Sequence, residues 1–382
     1  MSEAIQVDYG PHEAAMQAYR EAGTRVAMAT PNRGPVTYDA SGRVSQAILD
    51  AYWKYGFYVF TGVIGEQELA ELRSETSAML ANAPAHKGAA TDAQGRPALG
   101  AAQQARNLIW VRPLSDPSGG TAAAGGRHPA KMYEPTAPDG APEHVLQLVL
   151  GSLQYSDACL RLYGHPDMLA VAAAVNGEDF TPFNEGVWYK HAGLGGSVAW
   201  HQDGTMKWDA PDFDGGTHGF NFMAQLYGCD AANGLWVVPG THEGRADIKA
   251  MCDAAGSDRI PGAIPMICEP GDVAICNRQA VHGSFANTSP NIRVTVNFGF
   301  NRRASVLNAE GNGIHSPRAV YDEARIARRS AVIAYAINAR KAHFPDEQPY
   351  CYQPLAEEMD QYPFDDRARQ EMNDYNLLDL GI

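Results

Sequence analysis

Between residues 180 and 303 the chain breaks into short β-prone runs separated by Gly, Pro and Asn turns. "VWYKHAG", "GFNFMAQLYG", "LWVVPGTH", "IPMICEPGDVAICN" and "RVTVNFGF" follow one another, and no helical pattern is read between them. Regular short strands of this kind mean a sandwich or a barrel. The flanks have a different texture. "SQAILDAYWKYGFYVF" reads as a helix, a break at Gly56 and a strand over Phe57–Phe60, and "GEQELAELRSETSAMLANAP" reads as a helix with Leu69, Leu72, Met79 and Leu80 on one stripe. "PEHVLQLVLGSLQYSDACLRLYG", "HPDMLAVAAAVNG" and "AVYDEARIARRSAVIAYAINARKAHF" also read as helices. The expectation is one mainly β unit over 1–382. Residues 1–45 form an N-terminal extension with one short helix, and 46–179 a mostly helical flank. Residues 180–303 are the β core and 304–382 a C-terminal helical extension. Residues 85–128, rich in Gly, Ala and Pro, are expected to be a lid-like mobile cover.

Inside the β region, "VAWHQDGTMKW" places His201 and Asp203 two residues apart. Residues i and i+2 of a strand share a face, so both side chains can reach one ion. The spacing alone is weak: 12 His and 44 acidic residues give roughly one such pair by chance. The chain has a second, His165–Asp167. There Pro166 suits a first helical position and Asp167 a first helical turn, so that pair reads as a helix start. A third ligand for His201 and Asp203 is best supplied by His282, which ends an apolar strand. In the strand that follows, Ile292, Val294, Val296, Phe298 and Phe300 face one way, and Arg293, Thr295, Asn297 and Gly299 face the other. An Arg opposite an apolar row, beside Thr and Asn, points to a polar interior. Two His and one carboxylate form the ligand set of non-haem Fe(II) oxygenases. An inward Arg offers a bidentate clamp for a carboxylate, and Ser284, on the face of His282, can donate to the same group.

These residues carry a family resemblance. "WHQDG" (Trp200–Gly204), "NGLWVVPGTH" (Asn233–His242), "EPGDVAICN" (Glu269–Asn277) and "HGSFANTSPNIR" (His282–Arg293), with "YWKYGFYVFTGVIGEQELAELR" near the start, resemble the phytanoyl-CoA dioxygenase family of Fe(II)/2-oxoglutarate oxygenases over about residues 46–303. The resemblance implies a double-stranded β-helix (jelly roll, cupin-like) core. It implies Fe(II) on His201, Asp203 and His282, and the far carboxylate of 2-oxoglutarate on Arg293 and Ser284. With O₂, the products are succinate, CO₂ and an oxidised small organic molecule. Retention of the carboxylate ligand Asp203 favours hydroxylation, with desaturation, epoxidation or ring rearrangement as alternatives. A metal-binding jelly roll without turnover and a zinc hydrolase are the competing classes.

Substrate contacts are expected from Trp188, Lys190, Asn221, Met223 and Gln225, on strands that would line the barrel. Lys131 and Tyr133 are candidates for the lid. His218 and His242 lack ligand spacing and read as turn or supporting residues, and Trp200 as packing beside the site. The aromatic supply of Trp188, Trp200, Trp208, Phe220 and Phe222 suggests an apolar or aromatic substrate body. Net charge is −14 and the pI about 5.3. An acidic surface argues against nucleic acid and anionic membranes as partners and mildly against a polyanionic substrate. The six cysteines show no Cys-x-x-Cys spacing, so no redox pair, zinc knuckle or disulfide framework is expected. The N-terminus lacks an apolar signal core and no long apolar run exists, so the expected setting is cytoplasmic. A homo-oligomer stays open.

Overall fold

The computed structural model describes residues 7–382. Among these residues twelve strands build two facing sheets: β1 Arg33–Gly34, β2 Phe57–Phe60, β3 Leu108–Val111, β4 Val145–Leu150, β5 Thr181–Lys190, β6 Val198–His201, β7 Phe220–Gln225, β8 Trp236–Val238, β9 Ile264–Pro265, β10 Val273–Asn277, β11 Val281–Ser284 and β12 Arg293–Asn301. The larger sheet runs β1-β2-β10-β7-β12-β5-β4-β3 and the smaller β6-β11-β8-β9. Apart from the short parallel pair β1–β2, every pairing in the two sheets is antiparallel. From β5 to β12 the chain passes back and forth between the sheets, with only β8 and β9 following one another in the smaller sheet, which is the double-stranded β-helix.

The α-helices of the described residues are α1 Glu13–Ala29, α2 Gln46–Tyr55, α3 Glu66–Ala81, α4 Asp157–Tyr163, α5 Pro166–Asn176, α6 Ile248–Ala255, α7 Arg303–Val306, α8 Glu323–His343 and α9 Asp366–Glu371. Helices α2 to α5 and α8 cover the outer face of the larger sheet. The alternation in β12 decides which side that is. Val294, Val296, Phe298 and Phe300 join the main hydrophobic cluster beneath the helices, together with Phe220 and Phe222 of β7. Each such side chain contributes roughly 1.5–3 kcal/mol on burial, so a one-residue slip of register would invert the sheet at high cost. Arg293, Thr295 and Asn297 are left facing the space between the sheets. A second cluster, with Trp200, Trp236 and Phe285, backs the smaller sheet against α1, α6 and the segment before β4. No helix among the described residues is long and apolar enough to cross a membrane, and all six cysteines are free thiols.

Local chemistry explains the element boundaries. Gly56 ends α2 at φ +78°, a left-handed position that favours glycine, and β2 begins at the next residue. His165 caps α5: its Nδ1 accepts the Asp167 N–H at 3.3 Å, with Pro166 as first helical residue. That pair is a helix start and takes no part in the metal triad.

Four expectations need correction. The helix expected over "PEHVLQLVLG" is strand β4, with only Asp157–Tyr163 helical beyond it. All six residues of β4 are buried, and the strand is paired on both edges, by β3 and β5. A strand buried on both faces has no polar alternation and reads like part of an apolar helix. The segment 85–128 contains an edge strand, β3. The N-terminal helix is longer than expected, at 17 residues, because it packs Met16 against the smaller sheet. Helix α6 interrupts the run of strands between β8 and β9.

Candidate active site

The cavity between the sheets, about 370 Å³ in volume, is lined by β5, β7 and β12 on one side and by β6 and β11 on the other. At one end lie the two histidines. His201 of β6 and His282 of β11 are register partners on adjacent antiparallel strands, with ring centroids 4.1 Å apart. Asp203, two residues beyond His201, brings Oδ1 to 3.6 Å from His201 Nε2 and Oδ2 to 3.9 Å from His282 Nε2. One donor atom from each of the three lies within 4.8 Å of the others. The turn that places Asp203 depends on Gly204. Its φ is +93°, and a Cβ there would sit 2.5 Å from His218 Nδ1. His218 is thereby a packing residue, its Nε2–H donating to the Met206 carbonyl at 2.6 Å. The intervening Gln202 points away and ties down the surrounding loops through Thr241 O, Gly244 O and Gln279 O.

Both histidines are held in one tautomer. Nδ1–H of His201 donates to the Ala199 carbonyl and that of His282 to the Ala280 carbonyl, each at 2.8 Å, so each Nε2 keeps its lone pair toward Asp203. Burial, helped by the neighbouring His282, pushes the His201 pKa well below its usual value. Burial works against ionisation of Asp203, but His201, Arg278 and Arg127 outweigh it and hold the carboxyl well below the usual carboxylate range. Two imidazoles that present Nε2 and one carboxylate are the donor set that a divalent iron requires, so the residues fit the metal.

Arg293, the first residue of β12, lines the same cavity. Its Nη1 donates to the Asn233 carbonyl at 2.8 Å, its buried Nε has no partner, and no carboxylate of the described residues lies within ion-pairing distance. Burial lowers its pKa. A buried guanidinium without an acid is costly unless an anion completes it, which fits the far carboxylate of 2-oxoglutarate. Ser284 also lines the cavity, and its Oγ accepts a hydrogen bond from Lys190 Nζ at 2.8 Å.

Of the five expected substrate contacts, Trp188, Asn221, Met223 and Gln225 line the cavity. Lys190 is buried behind Ser284, its pKa pushed well down by burial and by Arg293. Its position bears on Ser284 rather than on the open cavity. Gln225 is committed to Thr295, whose Oγ1 donates to Oε1 at 2.9 Å. Lys131 pairs with Glu134 on the surface, and Tyr133 packs on His12, so neither lines the cavity. His242 is buried against Glu243 and Trp53, away from the triad. Trp200 is packing: it lies edge-on to Phe285 and donates Nε1–H to the Asp258 carbonyl. The expected aromatic lining is corrected. Only Trp188 of the five aromatics reaches the cavity, because Phe220 and Phe222 face the helices, Trp200 faces the second cluster, and Trp208 packs on His218.

Sequence reasoning missed several lining residues. Arg127 and His128 reach over the triad from the irregular segment before β4. Arg127 Nη1 lies 2.7 Å from Asp203 Oδ1, and the His128 ring stands edge-on to His201 at 4.4 Å. Arg278 stacks on Phe183 at 3.6 Å, with Nε 3.8 Å from Asp203 Oδ2. A register irregularity between β5 and β12 near Phe298–Phe300 lets both Phe183 and Asn184 face the cavity. The C-terminal segment also contributes, through Asn312–Ile314 and Gly381–Ile382.

The sequence model of the phytanoyl-CoA dioxygenase (PhyH) family matches residues 52–295, well over half of the chain. The chain belongs to this family. Membership places it in the superfamily of Fe(II)/2-oxoglutarate-dependent oxygenases. A solved structure shares its fold. EctD from S. alaskensis, crystallised with 2-oxoglutarate and 5-hydroxyectoine, aligns with a TM-score of 0.50 at 19% identity, covering 74% of this chain and 85% of that one. AviO1 from Streptomyces viridochromogenes Tue57 aligns with a TM-score of 0.46 at 18% identity, covering 69% of this chain and 96% of that one. No curated protein sequence matches the chain.

Proposed function

We propose that this family member is an Fe(II)- and 2-oxoglutarate-dependent dioxygenase that hydroxylates a C–H bond of a small organic molecule. The observation that carries the reading is one cavity lined both by the His201–Asp203–His282 triad and by the guanidinium of Arg293, which pairs with no acid among the described residues. Iron and 2-oxoglutarate, when bound, supply the oxidative decarboxylation that yields succinate and CO₂ and drives C–H oxidation. The protein's own groups arrange it. The carbonyls of Ala199 and Ala280 fix the imidazoles with Nε2 free to ligate. Arg278 keeps the Asp203 carboxylate ionised. Lys190 donates to Ser284 Oγ, which leaves the Ser284 hydroxyl hydrogen for a carboxylate beside Arg293. Retention of a carboxylate at position 203 supports hydroxylation over outcomes that need an exogenous anion on the metal.

Succinate formation from 2-oxoglutarate under air, with added Fe(II), tests the reading. Wild type should turn over slowly without substrate, and His201→Ala should not. Activity that needs zinc and runs without O₂ would instead make the protein a hydrolase. Absence of succinate from the wild type across an organic-acid, amino-acid and terpenoid panel would overturn the oxygenase.

A further inference from the structure

The segment between β3 and β4 sends two residues, Arg127 and His128, across the mouth of the triad, and their chemistry is unbalanced. Arg127 forms an ion pair with Asp203 alone among the described residues, and so does Arg278. Two guanidinium groups therefore share one carboxylate, and that carboxylate is also the only anionic member of the metal triad. The other acid lining the cavity, Glu185, has both oxygens engaged, one by Ser152 and one by Tyr375. A divalent ion on the triad would draw Asp203 toward itself and leave positive charge at the mouth without a counter-charge from the chain.

Neutral groups lining the same cavity are incomplete as well. Both ring nitrogens of His128 (7% exposed), both side-chain polar atoms of Asn184 (4% exposed) and Oδ1 of Asn221 are buried without a partner. Buried polar atoms in folded proteins nearly always have partners. Several orphans lining one cavity beside an under-compensated Arg mark the outline of a missing ligand. The cavity, about 370 Å³, lies near the small end of ligand sites and must also admit 2-oxoglutarate.

We infer that the substrate is a small carboxylic acid whose carboxylate is held by Arg127 and whose further polar groups meet Asn184 and His128. The inference rests on the oxygenase reading above. A planar guanidinium matches a carboxylate bidentately. With Asp203 drawn to the metal, Arg127 would exchange that carboxylate for the substrate's. Phe183 and the Arg278 stacked on it line the same cavity.

The test uses the full chain with Fe(II) and 2-oxoglutarate, and matched probes: hexanoate, 3-phenylpropionate, L-leucine and L-phenylalanine, each beside its primary amide. Two readouts are taken, stimulation of succinate formation under air and thermal stabilisation of the anaerobic complex. Wild type should respond to at least one acid at a concentration at least about tenfold below that of its amide. Arg127→Gln should bring that ratio close to one, and Arg127→Lys should keep part of it. Because acid and amide are compared in the same preparation, any change in metal loading cancels. A wild type that responds to none of the acids, or equally to acids and amides, overturns the inference while substrate-free succinate formation still upholds the oxygenase. A variant that keeps the acid preference and instead needs more 2-oxoglutarate would give Arg127 to the co-substrate and also overturn it. Loss of substrate-free turnover in the wild type would remove the oxygenase reading itself.

Discussion

Arg293→Gln separates a ligand anchor from a structural clamp, because the two roles predict opposite effects on stability. The guanidinium is buried, donates to the Asn233 carbonyl and meets no carboxylate of the described residues. If it anchors the far carboxylate of 2-oxoglutarate, its loss breaks a buried, hydrogen-bonded charge pair. Such truncations cost about 2–5 kcal/mol. At 1.4 kcal/mol per tenfold, the 2-oxoglutarate Kd should rise by about 30-fold to several thousand-fold. Isothermal titration of the anaerobic Fe(II) protein measures this. Without co-substrate, the wild-type Arg293 is a buried charge lacking an acid, so its replacement by a neutral amide that can still reach a carbonyl should leave stability unchanged or raise it. Denaturant unfolding of the metal-free protein measures that. A Kd changed less than threefold would refute the anchor. A large loss of stability with intact 2-oxoglutarate binding would make Arg293 a clamp for the Asp230–Asn233 turn.

Further outcomes follow from the same geometry. Gly204→Ala forces a side chain into a left-handed position against His218 and should cost at least about 1–3 kcal/mol by denaturant unfolding; unchanged stability would contradict the turn. The Glu185 carboxyl is pushed up to about 7, chiefly by burial, from an ordinary value of 4.5. Its contribution to stability is therefore fully present below pH 4.5 and is lost as pH rises through about 7. Glu185→Gln cannot ionise, so it should gain on the wild type between pH 5 and pH 8, by up to about 3 kcal/mol. An equal wild-type-to-variant difference at the two pH values would contradict this. Lys190→Met removes the donor to Ser284 Oγ and should raise the KM for 2-oxoglutarate more than it changes kcat; a change in kcat alone would count against that placement.

The legible parts of this molecule are those with a period or a fixed spacing. The alternation from Arg293 to Phe300 states which side chains share a face, and the two-residue step from His201 to Asp203 states that both can reach one ion, although β6 ends at His201 and a turn rather than strand alternation places Asp203. Strand β4 was illegible because burial on both faces erases alternation. Arg127 and His128 sit in irregular backbone, where no periodicity reports direction, and they reach the triad only through tertiary packing. Arg278 and Asn184 depend on a stacking contact and on a strand irregularity that no local pattern announces. The aromatic residues misled for a related reason: their abundance near the motif says nothing about which face each takes, and most of them serve the clusters outside the cavity.

The central claim is that His201, Asp203 and His282 hold one iron together, and anaerobic equilibrium dialysis against Fe(II) tests it most directly. The wild type should bind one Fe(II) per chain, and His201→Ala and His282→Ala should each lose that tight binding while keeping the fold by circular dichroism. Retention of one tightly bound Fe(II) in both single variants would show that the two imidazoles do not share an ion, and would contradict the account.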